Sequence, residues 1–153
     1  MFKSILLATD GSPASTRAAQ LAVDLARTHG ARLTALYVVD PYPYLGIGEA
    51  NPLGFQAYMS AAYAHAAQAH SSVAALCGQG GAPVDLQLRR AEDMHASDGI
   101  LQTAKDEKAD LIVVGSHGRT GFSRLMLGSI AARVVSQSPI PVLVARVLPG
   151  AVD

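Results

Sequence analysis

The sequence predicts an α/β fold: one domain built as a doubly wound, five-stranded parallel sheet with helices on both faces. Three observations point there. Ser4 to Thr9 (SILLAT), Arg32 to Val39 (RLTALYVV) and Leu111 to Val114 (LIVV) are nearly continuous apolar runs rather than alternating ones. Continuous hydrophobicity marks strands covered on both faces, as in a parallel sheet. Stretches of helical spacing separate the strands in the order β-α-β-α-β-α-β-α-β, which implies right-handed crossovers. The 153 residues suit one well-buried core and are too few for two ordinary domains, so residues 1–153 are expected to form a single unit.

Taken in order, the first strand ends at Asp10. Ser12-Pro13 then opens a helix, with serine as N-cap and proline at the first helical position, and Gly30 closes it. Within it Ala18, Ala22 and Leu25 share a face, with Ala19, Val23 and Ala26 beside them. The second strand leads into Pro41 to Gly54 (PYPYLGIGEANPLG), with three prolines and three glycines. So long an irregular segment reads either as a disordered crossover or as a lid over the strand ends. The second helix is expected from about Phe55 to Cys77, burying Phe55, Met59, Tyr63, Ala66, Val73 and Cys77, with Gly78 at its end.

Val84 to Leu88 (VDLQL) alternates and reads as an edge strand. Ser97 is the expected N-cap of a third helix through about Lys108, with Ile100, Leu101 and Ala104 facing in. A fourth helix runs from Ser129 to about Gln137. Val142 to Ala145 (VLVA), entered through Pro139 and Pro141, is the last strand. In such a Rossmann-like sheet, ligands sit beyond the carboxyl ends of the strands where strand order reverses. The chemistry is therefore sought in the loops that follow the strands.

Composition narrows the functions. Half the residues are hydrophobic and 16% are charged, which excludes general disorder. Twelve basic residues balance twelve acidic ones. No broad electrostatic footprint for nucleic acid or an anionic membrane exists, and an anionic ligand needs a local device. Cys77 is the only cysteine, so no intrachain disulfide can form and its simplest role is as a small apolar filler. The amino-terminal apolar run is too short for a signal-peptide core, and no stretch approaches the ~18 apolar residues of a membrane span. A cytoplasmic location is the expectation. His65 and His70 are five apart, the wrong spacing for one helical face, so no metal site is expected. No Gly-x-Ser-x-Gly elbow supports Ser-His-Asp catalysis, and no catalytic residue is assigned.

The informative stretch runs from Gly115 to Ser129 (GSHGRTGFSRLMLGS). It follows a buried strand and precedes a helix. Gly115 and Gly118 are suited to a sharp turn that exposes N–H groups to an anion. Gly128-Ser129 opens the helix, where free amides and the positive dipole end favour phosphate, and the Ser129 hydroxyl can add a hydrogen bond. Arg119 and Arg124 can pair with outer phosphates. His117 reads equally as a phosphate donor and as a turn filler. The stretch is neither a P-loop, for it has no placed lysine, nor Gly-x-Gly-x-x-Gly. As glycine punctuation alone it is also compatible with a simple tight turn.

The spacing Gly115-x2-Gly118-x9-Gly128-Ser129 resembles the nucleotide-binding signature of the ATP-binding universal stress proteins. Asp110 to Arg119 (DLIVVGSHGR), residues 139 to 146 (PIPVLVAR) and Ile5 to Ser12 (ILLATDGS) are similar to that family as well. The resemblance implies an ATP-binding stress-response protein, a nucleotide-dependent sensor or regulator, with Mg2+ arriving on the ATP. It implies that Asp10, with the backbone at Ala8 and Thr9, lies by the nucleoside and its ribose hydroxyls. Val38 would read the adenine edge through its backbone, and Val114 and Gly115 would line the ribose side. Gly118, Gly128, Ser129 and Ile130 would hold the phosphates. The resemblance also implies a homodimer through the last strand, Val142 to Ala145. From the residues alone, Asp10 can equally be a cap or dipole partner of the helix that follows it.

Ala91 to Ser97 and Pro41 to Gly54 depart from the family pattern. Two alternatives stay open, a nucleotide-free structural dimer and a slow ATP hydrolase. The second lacks an identifiable group to position water. An ATP pyrophosphatase would need paired glycines where Thr9-Asp10-Gly11-Ser12-Pro13 stands. A phospho-receiver domain would need an acidic pair beside Asp10 and a lysine after the last strand.

Overall fold

The computed structural model describes residues 1–41, 52–117 and 127–147. In chain order they form β1 (Ser4–Ala8), α1 (Pro13–His29), β2 (Arg32–Val38), α2 (Pro52–Gly78), β3 (Leu86–Ala91), α3 (Ala96–Asp106), β4 (Leu111–Gly115), α4 (Ser129–Gln137) and β5 (Val142–Ala145). The five strands make one sheet in the order β3-β2-β1-β4-β5, and every pairing is parallel. β1 lies at the centre, with Leu6 opposite Thr34 on one side and Ile112 on the other. Strand order reverses between β1 and β4, and that is where such a sheet opens a crevice.

The continuous apolar runs are buried on both faces. Ile5, Leu7, Leu33, Ala35, Leu111 and Val113 pack against Ala18, Ala22, Val23 and Ala26 of α1 and Val73 of α2. Leu6, Leu36, Ile112 and Val114 face the other way, onto Ile100 and Ala104 of α3 and Ala131 and Val134 of α4. A third cluster joins Tyr37 and Val39 at the end of β2 to Ala66 and Ala69 of α2, with Tyr58, Met59 and Ala62 against it.

The ends of α1 follow from local chemistry. Ser12 Oγ accepts the Ser15 amide at 3.2 Å, Pro13 needs no amide partner, and Gly30 closes the helix in the left-handed conformation at φ 63°.

Three details differ from the sequence expectation. β3 spans Leu86–Ala91 rather than 84–88. It is an edge strand as expected, and its Arg89 and Arg90 are tolerated there because they pair with Glu107 and Glu92, each at 2.9 Å. The N-cap of α3 is His95, with no side-chain cap bond, and Ser97 is buried inside the first turn. In α2, Phe55 and Tyr63 are 41% and 36% exposed rather than core. Tyr63 is drawn outward by its hydroxyl bond to Glu92 and by Arg90 over its ring, 4.0 Å from the centroid. Of the expected stripe Ala66 and Val73 are buried and Met59 and Cys77 partly so; Ala69 is buried beside them, with Tyr58 and Ala62 partly buried. Residues 42–51 of the irregular segment lie outside the described residues, and its last residues, Leu53 and Gly54, belong to α2.

Candidate functional site

A cleft of about 730 Å³ opens beyond the carboxyl ends of β1, β2 and β4, within the usual range for a small-molecule site. Ten residues picked out from the sequence line it: Ala8, Thr9, Asp10, Val38, Val114, Gly115, His117, Gly128, Ser129 and Ile130. Gly118, Arg119 and Arg124 lie outside the described residues.

Two helices start beside this cleft, and they differ in what an anion would meet. The start of α1 is already filled. Ser12 Oγ caps the Ser15 amide, and Asp10 Oδ1 accepts the Ser12 amide at 2.8 Å, which places a carboxylate beside those donors. Among the described residues no side chain caps the start of α4, where the cap residue is Gly128. The first intrahelical bond runs from the Ala132 amide to the Gly128 carbonyl at 2.9 Å. The amides of Ser129, Ile130 and Ala131 precede it and have no carbonyl one turn back. Ile130 is exposed, and so is Ser129. An anion is therefore favoured at α4 and disfavoured at α1.

The glycines act through space rather than through backbone freedom. Gly115 is a strand residue and is not among the residues with positive φ, which corrects the expectation of a sharp turn there. A Cβ on Gly115 would lie 2.8 Å from the Ala14 carbonyl carbon and 3.0 Å from the Ser15 nitrogen. Glycine here lets the end of β4 close on the first turn of α1. At Gly128 a Cβ would lie 2.9 Å from the Ser116 carbonyl oxygen, which accepts the Gly128 amide at 2.7 Å. That short bond seats α4 against the end of β4. Gly99 of α3 similarly leaves room for Val38, whose Cγ2 would be 2.9 Å from an added Cβ.

Electrostatically, the described lining holds two carboxylates, Asp10 and Asp40, and two imidazoles, His65 and His117, and contains no lysine or arginine. His117 Nδ1 lies 3.1 Å from Ser116 Oγ, within hydrogen-bond distance. Its Nε2 is enclosed and has no hydrogen-bond partner among the described residues.

Sequence reading missed the wall that α2 supplies, Tyr58, Ala61, Ala62 and His65. Tyr58 donates its hydroxyl to the Asp40 carbonyl at 2.8 Å. Burial, aided by the Asp40 charge, pushes its phenol above the ordinary tyrosine range, so it stays a donor at neutral pH. No local signal marks this wall, because it depends on how α2 crosses the sheet. Among the described residues no group of three or more His, Cys, Asp or Glu could hold a metal ion, and no helix is long and apolar enough to cross a membrane.

The chain matches the model of the universal stress protein family over residues 1–146. A universal stress protein of Thermus aquaticus is 40% identical over 151 residues, covering 95% of this chain and 100% of that one. Among solved structures, UspA of Lactobacillus plantarum is 30% identical with a TM-score of 0.76, covering 94% of this chain and 97% of that one. A universal stress protein in complex with cAMP superposes with a TM-score of 0.68 at 24% identity, covering 95% and 97%. At that identity the likeness is one of fold.

Proposed function

The chain belongs to the universal stress protein family, and from that premise we propose that it binds an adenine nucleotide, ATP, as a sensor or regulator in a stress response. The observation that carries the reading is the cleft at the strand-order reversal, which ends on an N-terminus of α4 that no described side chain caps. The two helix starts give the nucleotide a direction. Phosphates go to the amides of Ser129 and Ile130 and to the Ser129 hydroxyl, beside Gly128. The ribose hydroxyls go to Asp10, where a carboxylate accepts them and repels phosphate. Adenine then reaches the backbone of Val38, between the α2 wall and Ile100. A relative of the same fold in complex with cAMP supports an adenylate as the class of ligand. Mg2+ would arrive with the phosphates, since the described lining offers it no built cage.

The homodimer belongs to the same proposal. β5 is an edge of the sheet, and an edge strand presents backbone groups that a second copy can pair.

Ser129→Ala tests the phosphate end. It is expected to weaken ATP binding by roughly 1.5–3 kcal/mol, the scale of a hydrogen bond to a charged group, measured by isothermal titration. An unchanged dissociation constant removes Ser129 from the site.

A further inference from the structure

We propose that nucleotide binding in this cleft draws a proton onto His117, so that affinity rises as pH falls through the histidine range. The inference rests on the reading that phosphates lie at the start of α4. His117 stands next to that point: Ser116, its neighbour, accepts the Gly128 amide at 2.7 Å, and a Cβ on Gly128 would be 3.4 Å from His117 Cα.

Among the described residues, this imidazole is the natural place for a compensating charge. The end of β1 brings Asp10, the end of β2 brings Asp40, and α2 brings His65 to the cleft. Ala96 and Ile100 of α3 and residues 127–131 at the start of α4 bring no charged side chain. Beyond β5, the exposed Arg146 follows Ala145, whose carbonyl accepts the Ser116 amide. Arg119 and Arg124 follow His117 in the chain, outside the described residues. Adding phosphate charge to a lining that already holds two carboxylates favours the cationic form of a nearby imidazole.

The hydrogen bonding of the ring permits the change. The Ser116 hydroxyl can donate to a bare Nδ1 or accept from a protonated one, so that contact survives in either state. Nε2 is enclosed without a partner among the described residues, and an imidazolium needs an acceptor there. A small turn of the ring toward α4 would offer Nε2–H a phosphate oxygen.

The sign follows from linkage. A group that holds its proton more tightly in the complex favours the complex at low pH, and the advantage is lost as pH rises through the bound-state midpoint. The test is ATP titration calorimetry at pH 6 and pH 8 on the wild type and His117→Gln, in two buffers of different ionisation enthalpy. ATP's own phosphate titrates in this window, so the comparison is between proteins. On going from pH 8 to pH 6 the wild type should gain roughly fivefold more affinity than the variant, the part of the effect that falls within this window when the imidazole holds its proton about tenfold more tightly in the complex. It should also take up more protons.

NMR of the wild type, with the His117 ring signal assigned against the variant's spectrum or by selective labelling, should show its midpoint move to higher pH on adding ATP. That measurement decides the question even if the variant fails to fold. Tight ATP binding with an unmoved His117 midpoint overturns the proton linkage and leaves the nucleotide reading standing. No ATP binding at either pH overturns both.

Discussion

Gly128→Val is expected to abolish ATP binding, weakening it at least about 100-fold, in a chain that still folds. A side chain at this position meets the Ser116 carbonyl oxygen 2.9 Å away and the His117 backbone at 3.4 Å. Neither is the free end of a flexible group, so the backbone must move. The bond from the Gly128 amide to Ser116, 2.7 Å long, is then lost or stretched. It fixes where the amides of Ser129 and Ile130 point. Misplacing two charge-assisted hydrogen bonds of about 1.5–3 kcal/mol each costs more than the ~2.7 kcal/mol that corresponds to 100-fold. The core contacts of α4, Ala131 and Val134, are buried against the sheet and hold the helix in place. Calorimetry checks the binding, and circular dichroism with thermal unfolding checks the fold. Binding within tenfold of wild type would mean that the phosphates lie elsewhere.

Gly115→Val should act on stability first. The added atoms would press on the Ala14 carbonyl carbon and the Ser15 nitrogen, at 2.8 and 3.0 Å from the first of them. These groups belong to a helix start held by Pro13, Ser12 and Asp10. The expected loss is at the upper end of the ~1–3 kcal/mol typical of overpacking, or about 6–12 °C in melting temperature for a chain of this length. Were Gly115 needed only for a turn in the following loop, the melting temperature would hardly move and binding alone would suffer. Thermal unfolding without nucleotide separates the two.

The fold was legible because its central strands are almost wholly apolar and the first helix carries explicit caps. Ser12-Pro13 and Gly30 bound α1 where the chemistry of helix ends requires. The third strand was less legible, because Arg89 and Arg90 look like loop residues until their partners Glu107 and Glu92 are seen beside them. In α2 the alanines hide the stripe. Ala62, Ala66 and Ala69 are small enough to lie against the sheet, whereas the aromatic rings that dominate a hydrophobicity reading include two, Phe55 and Tyr63, on the outer side.

The candidate site divides the same way. Residues at strand ends and at the start of α4 could be named because position in the chain fixes their place in this topology. Tyr58 and His65 could not, since a helix 27 residues long approaches the cleft by tertiary packing alone; Asp40, just past β2, was overlooked although its place in the chain pointed to the cleft. Gly115 lines the cleft, but it was picked out for its backbone freedom; what the structure shows is a lack of room. Two chain-distant segments create that constraint, so no local pattern could have revealed it.

Nucleotide binding is tested most simply by thermal unfolding of the purified protein, first shown to carry no nucleotide, with and without millimolar Mg·ATP and Mg·GTP. A ligand at about 100 times its dissociation constant adds ~2.7 kcal/mol, or roughly 5–10 °C for a domain of this size. A rise of that order is expected with ATP, and a clearly smaller one with GTP. No rise with either nucleotide would contradict the adenine-nucleotide reading and favour a structural dimer that works without nucleotide.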